Sequence, residues 1–169
     1  MNNWRNSNHI GNRIEQMDLW LLDRVFQPVA DRLPERFSAL SIGMNLQLGA
    51  LFFSAACLLL LLIFFKMELI TALIIIAIWC FGLFFYIGIC RVHQMVKIGT
   101  PNPFRFMLLG IRPISIALST YDLWRSLTIP FPLCFPLFLN GLGSVVFVLG
   151  LYFISCQLNP PKKRTSYKI

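Results

Sequence analysis

Two apolar runs, Leu48–Phe65 and Leu69–Cys90, are separated only by Lys66-Met67-Glu68. No Asp, Glu, Lys, Arg or His interrupts either run. Each can cross the hydrocarbon core of a bilayer as a helix, which takes about 20 residues. The second run has 22 residues, which makes about 33 Å of helix at 1.5 Å per residue. So short a break leaves room only for a tight turn, which makes the two helices antiparallel neighbours. The expected fold class is therefore all-α and integral to a membrane, organised on a tight two-helix transmembrane hairpin.

Composition agrees. Of the 169 residues, 57% are hydrophobic and 13% charged, with a mean hydropathy of +0.68. A soluble domain carries about 25% charged residues. The net charge of +8 is uneven. Residues 1–47 hold five Arg against five acids, whereas the basic excess lies in 91–125 and in the tail. Basic residues that flank apolar runs suit anionic lipid headgroups, and little chain remains to build a nucleic-acid surface. Arg91, Lys97, Arg105, Arg112, Arg125, Lys162, Lys163 and Arg164 are the expected headgroup contacts. For the Arg residues of 91–125, snorkelling to the interface is the simplest role.

Residues 1–12 are polar and Asn-rich and read as a disordered tip. Residues 13–44 read as amphipathic cytoplasmic or interfacial helices. Ile14, Met17, Leu21, Leu22, Val25, Phe26, Val29, Leu33, Phe37 and Leu40 recur mostly at steps of three and four, the helix period. Asn12 with Glu15 makes a loose capping arrangement. Pro28 and Pro34 each remove a backbone donor, so one straight helix is not expected beyond about Gln27. Trp20 suits the headgroup boundary. Three acid–Arg dipeptides, Asp23-Arg24, Asp31-Arg32 and Glu35-Arg36, form either a solvated face or a docking edge for a partner.

The first span is expected over 45–65 and the second over 69–90. Residues 91–125 read as a basic interfacial loop with short helices, because Arg105, Arg112 and Pro113 break its apolar run and a central Arg costs about 2.5–3.5 kcal/mol on insertion scales; a deeply tilted or re-entrant piece is the alternative. Asn102-Pro103 reads as a helix start. Residues 126–136, with Pro130, Pro132 and Pro136, form a Pro-rich segment leading into the membrane. A third span is expected over 137–156, followed by the basic tail 157–169. Asn140, Gly143, Phe147 and Gly150 share a face of that helix, and Ala50 and Ser54 make a small-residue pair on the first span. These are the expected helix-packing and partner faces.

The hairpin places residues 1–47 and 91–125 on one side, which the positive-inside rule makes cytoplasmic. A third span would send the basic tail to the other side. A re-entrant arm over 137–156 would return it, but irregular backbone at that depth must be covered by protein. Three spans are the simpler expectation.

Chemistry is sparse. Cys57, Cys80, Cys90, Cys134 and Cys156 lie within or beside apolar runs and form no close pair, so neither disulfides nor a metal site is expected. His9 and His93 are the two histidines, and their placement does not suit a bis-His haem. No acid falls inside an expected span, which argues against a pump or transporter acting alone. No hydrolase, nucleotide or zinc motif is present, and no cofactor is expected. The function read from these features is a small non-catalytic multi-pass subunit of a larger membrane complex, such as a respiratory or secretion machine. It would sit in a bacterial inner membrane. A self-associating pore-forming or membrane-remodelling protein is the second reading, and a lipid- or quinone-handling protein the third. Expected partners are anionic lipids and other membrane subunits, and not nucleic acid.

Overall fold

Apolar runs without a breaker leave the backbone no better option than helix, and both runs extend as helices past their expected limits. The computed structural model describes residues 3–34, 37–65, 69–97 and 99–158, with side chains from residue 11 onward. Its elements in chain order are α1 (Asn3–Leu21), a π turn (Leu22–Phe26), α2 (Gln27–Asp31), α3 (Ala39–Phe65), α4 (Leu69–His93), α5 (Phe104–Met107), α6 (Ile111–Thr128) and α7 (Cys134–Ser155). All the described secondary structure is helical, and α3, α4 and α7 are long and apolar enough to cross a membrane.

The N-terminal arm follows its prolines. Pro28 has no N–H and its ring crowds the preceding turn, so the helix widens to a π turn just before it, with Gln27 N–H donating to Leu22 O. Pro34 lies just beyond the end of α2. At the other end, α1 begins at Asn3, so residues 3–12 of the stretch expected to be a disordered tip are helical. No proline stands between residue 3 and Pro28, and an interior Asn or Gly costs only about 1 kcal/mol or less. Asn12 therefore lies inside the helix and does not cap it.

The larger correction concerns 91–125. In place of short interfacial helices, the segment holds the single turn α5 and then the 18-residue α6. Pro113 does not break α6 because it falls in the first turn, where a backbone N–H has no helical partner to lose. Likewise Pro136 sits in the first turn of α7.

α6 runs antiparallel to α7 for most of its length. Arg112 meets Ser155, Asp122 meets Ser144, and Leu123 lies against Gly141. α3 also runs antiparallel to α7, with Gly43 against Ile154 and Gly150, and Phe53 against Gly143. α4 returns beside α3, where the Trp79 indole N–H donates to Leu51 O at 3.2 Å. The four long helices thus form an up-down-up-down bundle. At one end Leu40, Ile89, Phe104, Leu108, Leu151 and Ile154 close a core. The N-terminal arm lies across that same end, with Leu22 packed on Tyr152 and Cys156.

Glycine sets the α3–α7 distance. A Cβ on Gly43 would stand 2.7 Å from Ile154 N and 2.9 Å from Gly150 O, both backbone atoms that cannot swing away. Gln47 fills the adjacent space, and its amide donates to Phe147 O at 2.8 Å. Bare backbone surfaces allow this approach, and the cross-helix amide bond adds direction. We predict that Gly43→Ala lowers stability by about 1–3 kcal/mol, the usual range for overpacking. Gly88→Ala, where a Cβ would meet nothing within 4 Å, should be neutral. Thermal unfolding in detergent followed by circular dichroism separates the two.

Candidate functional site

An arginine in an apolar helix must find an acid or stay near water. Arg112, in the first turn of α6, is fully buried, and Asp18 of α1 is buried with it. Arg112 Nε donates to Asp18 Oδ2 at 3.0 Å, and Nη2 to the same oxygen at 2.5 Å. Nη1 donates to Arg105 O at 3.1 Å and to Ser155 Oγ at 2.8 Å. The Tyr152 hydroxyl donates to Asp18 Oδ1 at 2.6 Å, and its ring stacks on Phe26 with centroids 4.5 Å apart. Two further links flank this centre. Arg105 Nη2 pairs with Asp23 Oδ1 at 2.6 Å, and the Gln27 side chain exchanges hydrogen bonds with the Gln157 backbone.

Asn102 completes the same end. Its Nδ2 donates to Ile154 O and Cys156 O, both at 2.7 Å, and its Oδ1 accepts from Phe104 N–H. One side chain therefore satisfies carbonyls where α7 ends and a donor where α5 starts. The sequence reading of Asn102 as a helix start holds for α5 but misses its hold on α7.

These contacts correct several expected roles. Arg112 is not a headgroup contact, because its guanidinium is spent on Asp18, Ser155 and Arg105 O. Arg105 turns to Asp23, so that acid works within the chain and not as a docking edge. Asp31 accepts from Gln27 Nε2. Arg24 and Arg32 are exposed, as are Arg91, Lys97 and Arg125. Glu35, Arg36, Lys162, Lys163 and Arg164 lie outside the described residues. The small-residue face also turns inward, since Gly143 and Gly150 of α7 lie against α3, with Ala50 buried at the same contact. Phe147 gives its carbonyl to Gln47 and sets its ring 5.8 Å from Phe85.

Midway along the bundle the four long helices leave a cavity of about 290 Å³. Ser54, Asn140 and Ser144 line it, together with Asp122. The Ser144 hydroxyl donates to Asp122 Oδ2 at 2.7 Å. The sequence reading places Asp122 in an interfacial loop and finds no acid at depth. The structure places it on α6, beside the middle of the bundle. The signal that would have found it is the step from Ser115 to Ser119 to Asp122, which puts three polar side chains on one helix face.

The outer side of α4 is different. Of its 25 residues only Ala72 and Ile89 are buried. Ile70, Ile74, Ala77, Phe81, Phe84 and Gly88 follow steps of four and three along one face, and all are exposed.

Compared with known proteins, the chain matches no family model, no curated protein and no solved structure.

Removing one member of a buried ion pair strands the other and costs about 3–5 kcal/mol, whereas an apolar pair of similar volume is often tolerated. Arg112→Leu should therefore destabilise the chain strongly and release the N-terminal arm to protease. Asp18→Leu combined with Arg112→Leu should recover much of the stability. Limited proteolysis and thermal unfolding of the single and double variants check this.

Proposed function

We propose that the chain is a non-catalytic component of a larger membrane assembly, inserted as two helical hairpins, α3–α4 and α6–α7. The observation that carries this reading is the outer face of α4. The polar groups and glycines that the sequence offers for partners are largely occupied within the chain, while this face is left open. Ala77 and Gly88 lie three turns apart with Phe81 and Phe84 between them. Small residues beside aromatic ridges suit a helix from another subunit, because they let backbones approach and give side chains a hollow to fill.

The hairpin arrangement rests on α6. With α6 lying along α7, the chain returns to its starting side, where Gln157 meets Gln27 of the N-terminal arm. Every Lys and Arg except Lys66 and Arg125 then falls on that side, which makes it cytoplasmic. The α6 helix passes through apolar surroundings because Arg112 is held by Asp18 at one end and Arg125 lies near the other. Its 18 residues span about 27 Å, close to the hydrocarbon thickness.

Two experiments test these statements. Topology reporters fused within 66–68 and after residue 165 should report opposite sides. The same side for both would overturn the two-hairpin insertion. A photo-crosslinking residue at Ala77 or Gly88 should give a discrete adduct with one second polypeptide in native membranes. The same residue at Phe52 of α3 or Leu118 of α6 should not. Gly88→Leu should reduce co-purification of that polypeptide in mild detergent. Adducts with lipid alone, and a monodisperse particle of this chain alone, would overturn the subunit reading.

A further inference from the structure

The contacts described above leave Asp122 without a positive charge. Neither the Asp18–Arg112 pair nor the Asp23–Arg105 pair includes it. Arg125, one turn further along α6, is exposed. A carboxylate surrounded by apolar helices is costly unless a cation or several donors meet it. Ser144 Oγ supplies one donor, and Ser115, Ser119 and Asn140 bring further polar groups to the same space. Trp79 and Tyr86 of α4 and Phe147 of α7 also line the cavity, beside Leu51 and Ile78.

This pairing of one acid with aromatic walls selects for charge sign. An anion would meet Asp122 with no compensating base. A cation would meet the carboxylate and share the space with aromatic rings, whose faces attract positive charge. At about 290 Å³ the space lies at the small end of ligand pockets, which run from about 300 to 1,000 Å³. It admits a compact molecule and not a whole lipid. An inorganic cation would leave the apolar wall without a partner. We propose that this cavity binds a compact organic ammonium group, its nitrogen on Asp122 and its apolar body against the aromatic wall. The ammonium belongs either to a free amine or to the headgroup of an amine-bearing phospholipid.

The test uses the full chain in nanodiscs of digalactosyldiacylglycerol, a bilayer lipid without an ammonium group, and isothermal titration calorimetry. The probe is phenethylammonium, with phenethyl alcohol and phenylacetate as neutral and anionic molecules of similar size. The ammonium should bind saturably, at least tenfold more tightly than either comparator, and empty nanodiscs should show no such binding. Asp122→Asn should weaken the ammonium at least tenfold and leave the alcohol unchanged. Because Asp122 also holds Ser144, a second variant is needed that spares the carboxylate. Ser115→Phe fills the cavity from α6 and should abolish binding of the ammonium while thermal unfolding shows the chain still folded. No saturable binding of phenethylammonium, equal affinity for the three probes, or unchanged affinity in both variants would overturn the proposal. Adding phosphatidylethanolamine to the nanodiscs distinguishes the sources. Competition assigns the site to the lipid headgroup, and unchanged affinity assigns it to a free amine.

Discussion

The buried pair of Arg112 and Asp18 is the interaction on which the rest of the chain is arranged. A guanidinium with no exposure requires an acid and further acceptors in fixed directions. Asp18, Ser155 and the Arg105 carbonyl meet that requirement from three parts of the chain. The pair therefore ties α1 to the start of α6 and the end of α7 at a single point. Such pairs are weak sources of net stability, because the loss of solvation offsets the attraction. What this one supplies is register. Only one placement of the arm brings Asp18 over Arg112 and Phe26 onto the Tyr152 ring together.

Around that point two kinds of packing divide the work. Between α3 and α7, glycines bring backbones close and Gln47 locks the crossing with a hydrogen bond. Close packing of this kind depends on contact distance and directed polar bonds, so it serves equally well where no water is present to drive burial. Along α4 the contacts are sparse, and its outer side holds large apolar residues with little to cover them inside the chain. The molecule thus has a tightly held trio of α3, α6 and α7, with α4 completing the cavity from the side.

Much of the fold was legible locally. Uncharged runs of span length could only become α3, α4 and the body of α7, and Pro28 placed the change in the N-terminal helix. The break expected at Pro113 failed for a positional reason. Whether a proline interrupts a helix depends on its turn, and nothing nearby in the chain states where α6 begins. The role expected for Arg112 failed for a different reason. An insertion cost assigned to a lone arginine assumes no partner, and the partner lies 94 residues away. Asp122 was misplaced with it, since the Ser115–Ser119–Asp122 spacing makes a common face only if the segment is one continuous helix. On the face of α7 that the sequence offered for packing, Gly143 and Gly150 lie against α3 of the same chain.

The sequence by itself determined the helical class, the three helices long and apolar enough to cross a membrane, and the hairpin of α3 and α4. These depend on hydrophobicity and on short-range breakers, which are properties of adjacent residues. Tertiary structure decided that α6 joins the bundle, that Arg112 is buried, that the glycine face is used internally and that Asp122 borders a cavity. Each of these depends on a group brought from far along the chain, and a lone residue carries no record of which distant charge or surface will meet it. The two apolar runs set the longest helices of the bundle, and the Asp18–Arg112 pair set how the remaining helices are assembled around them.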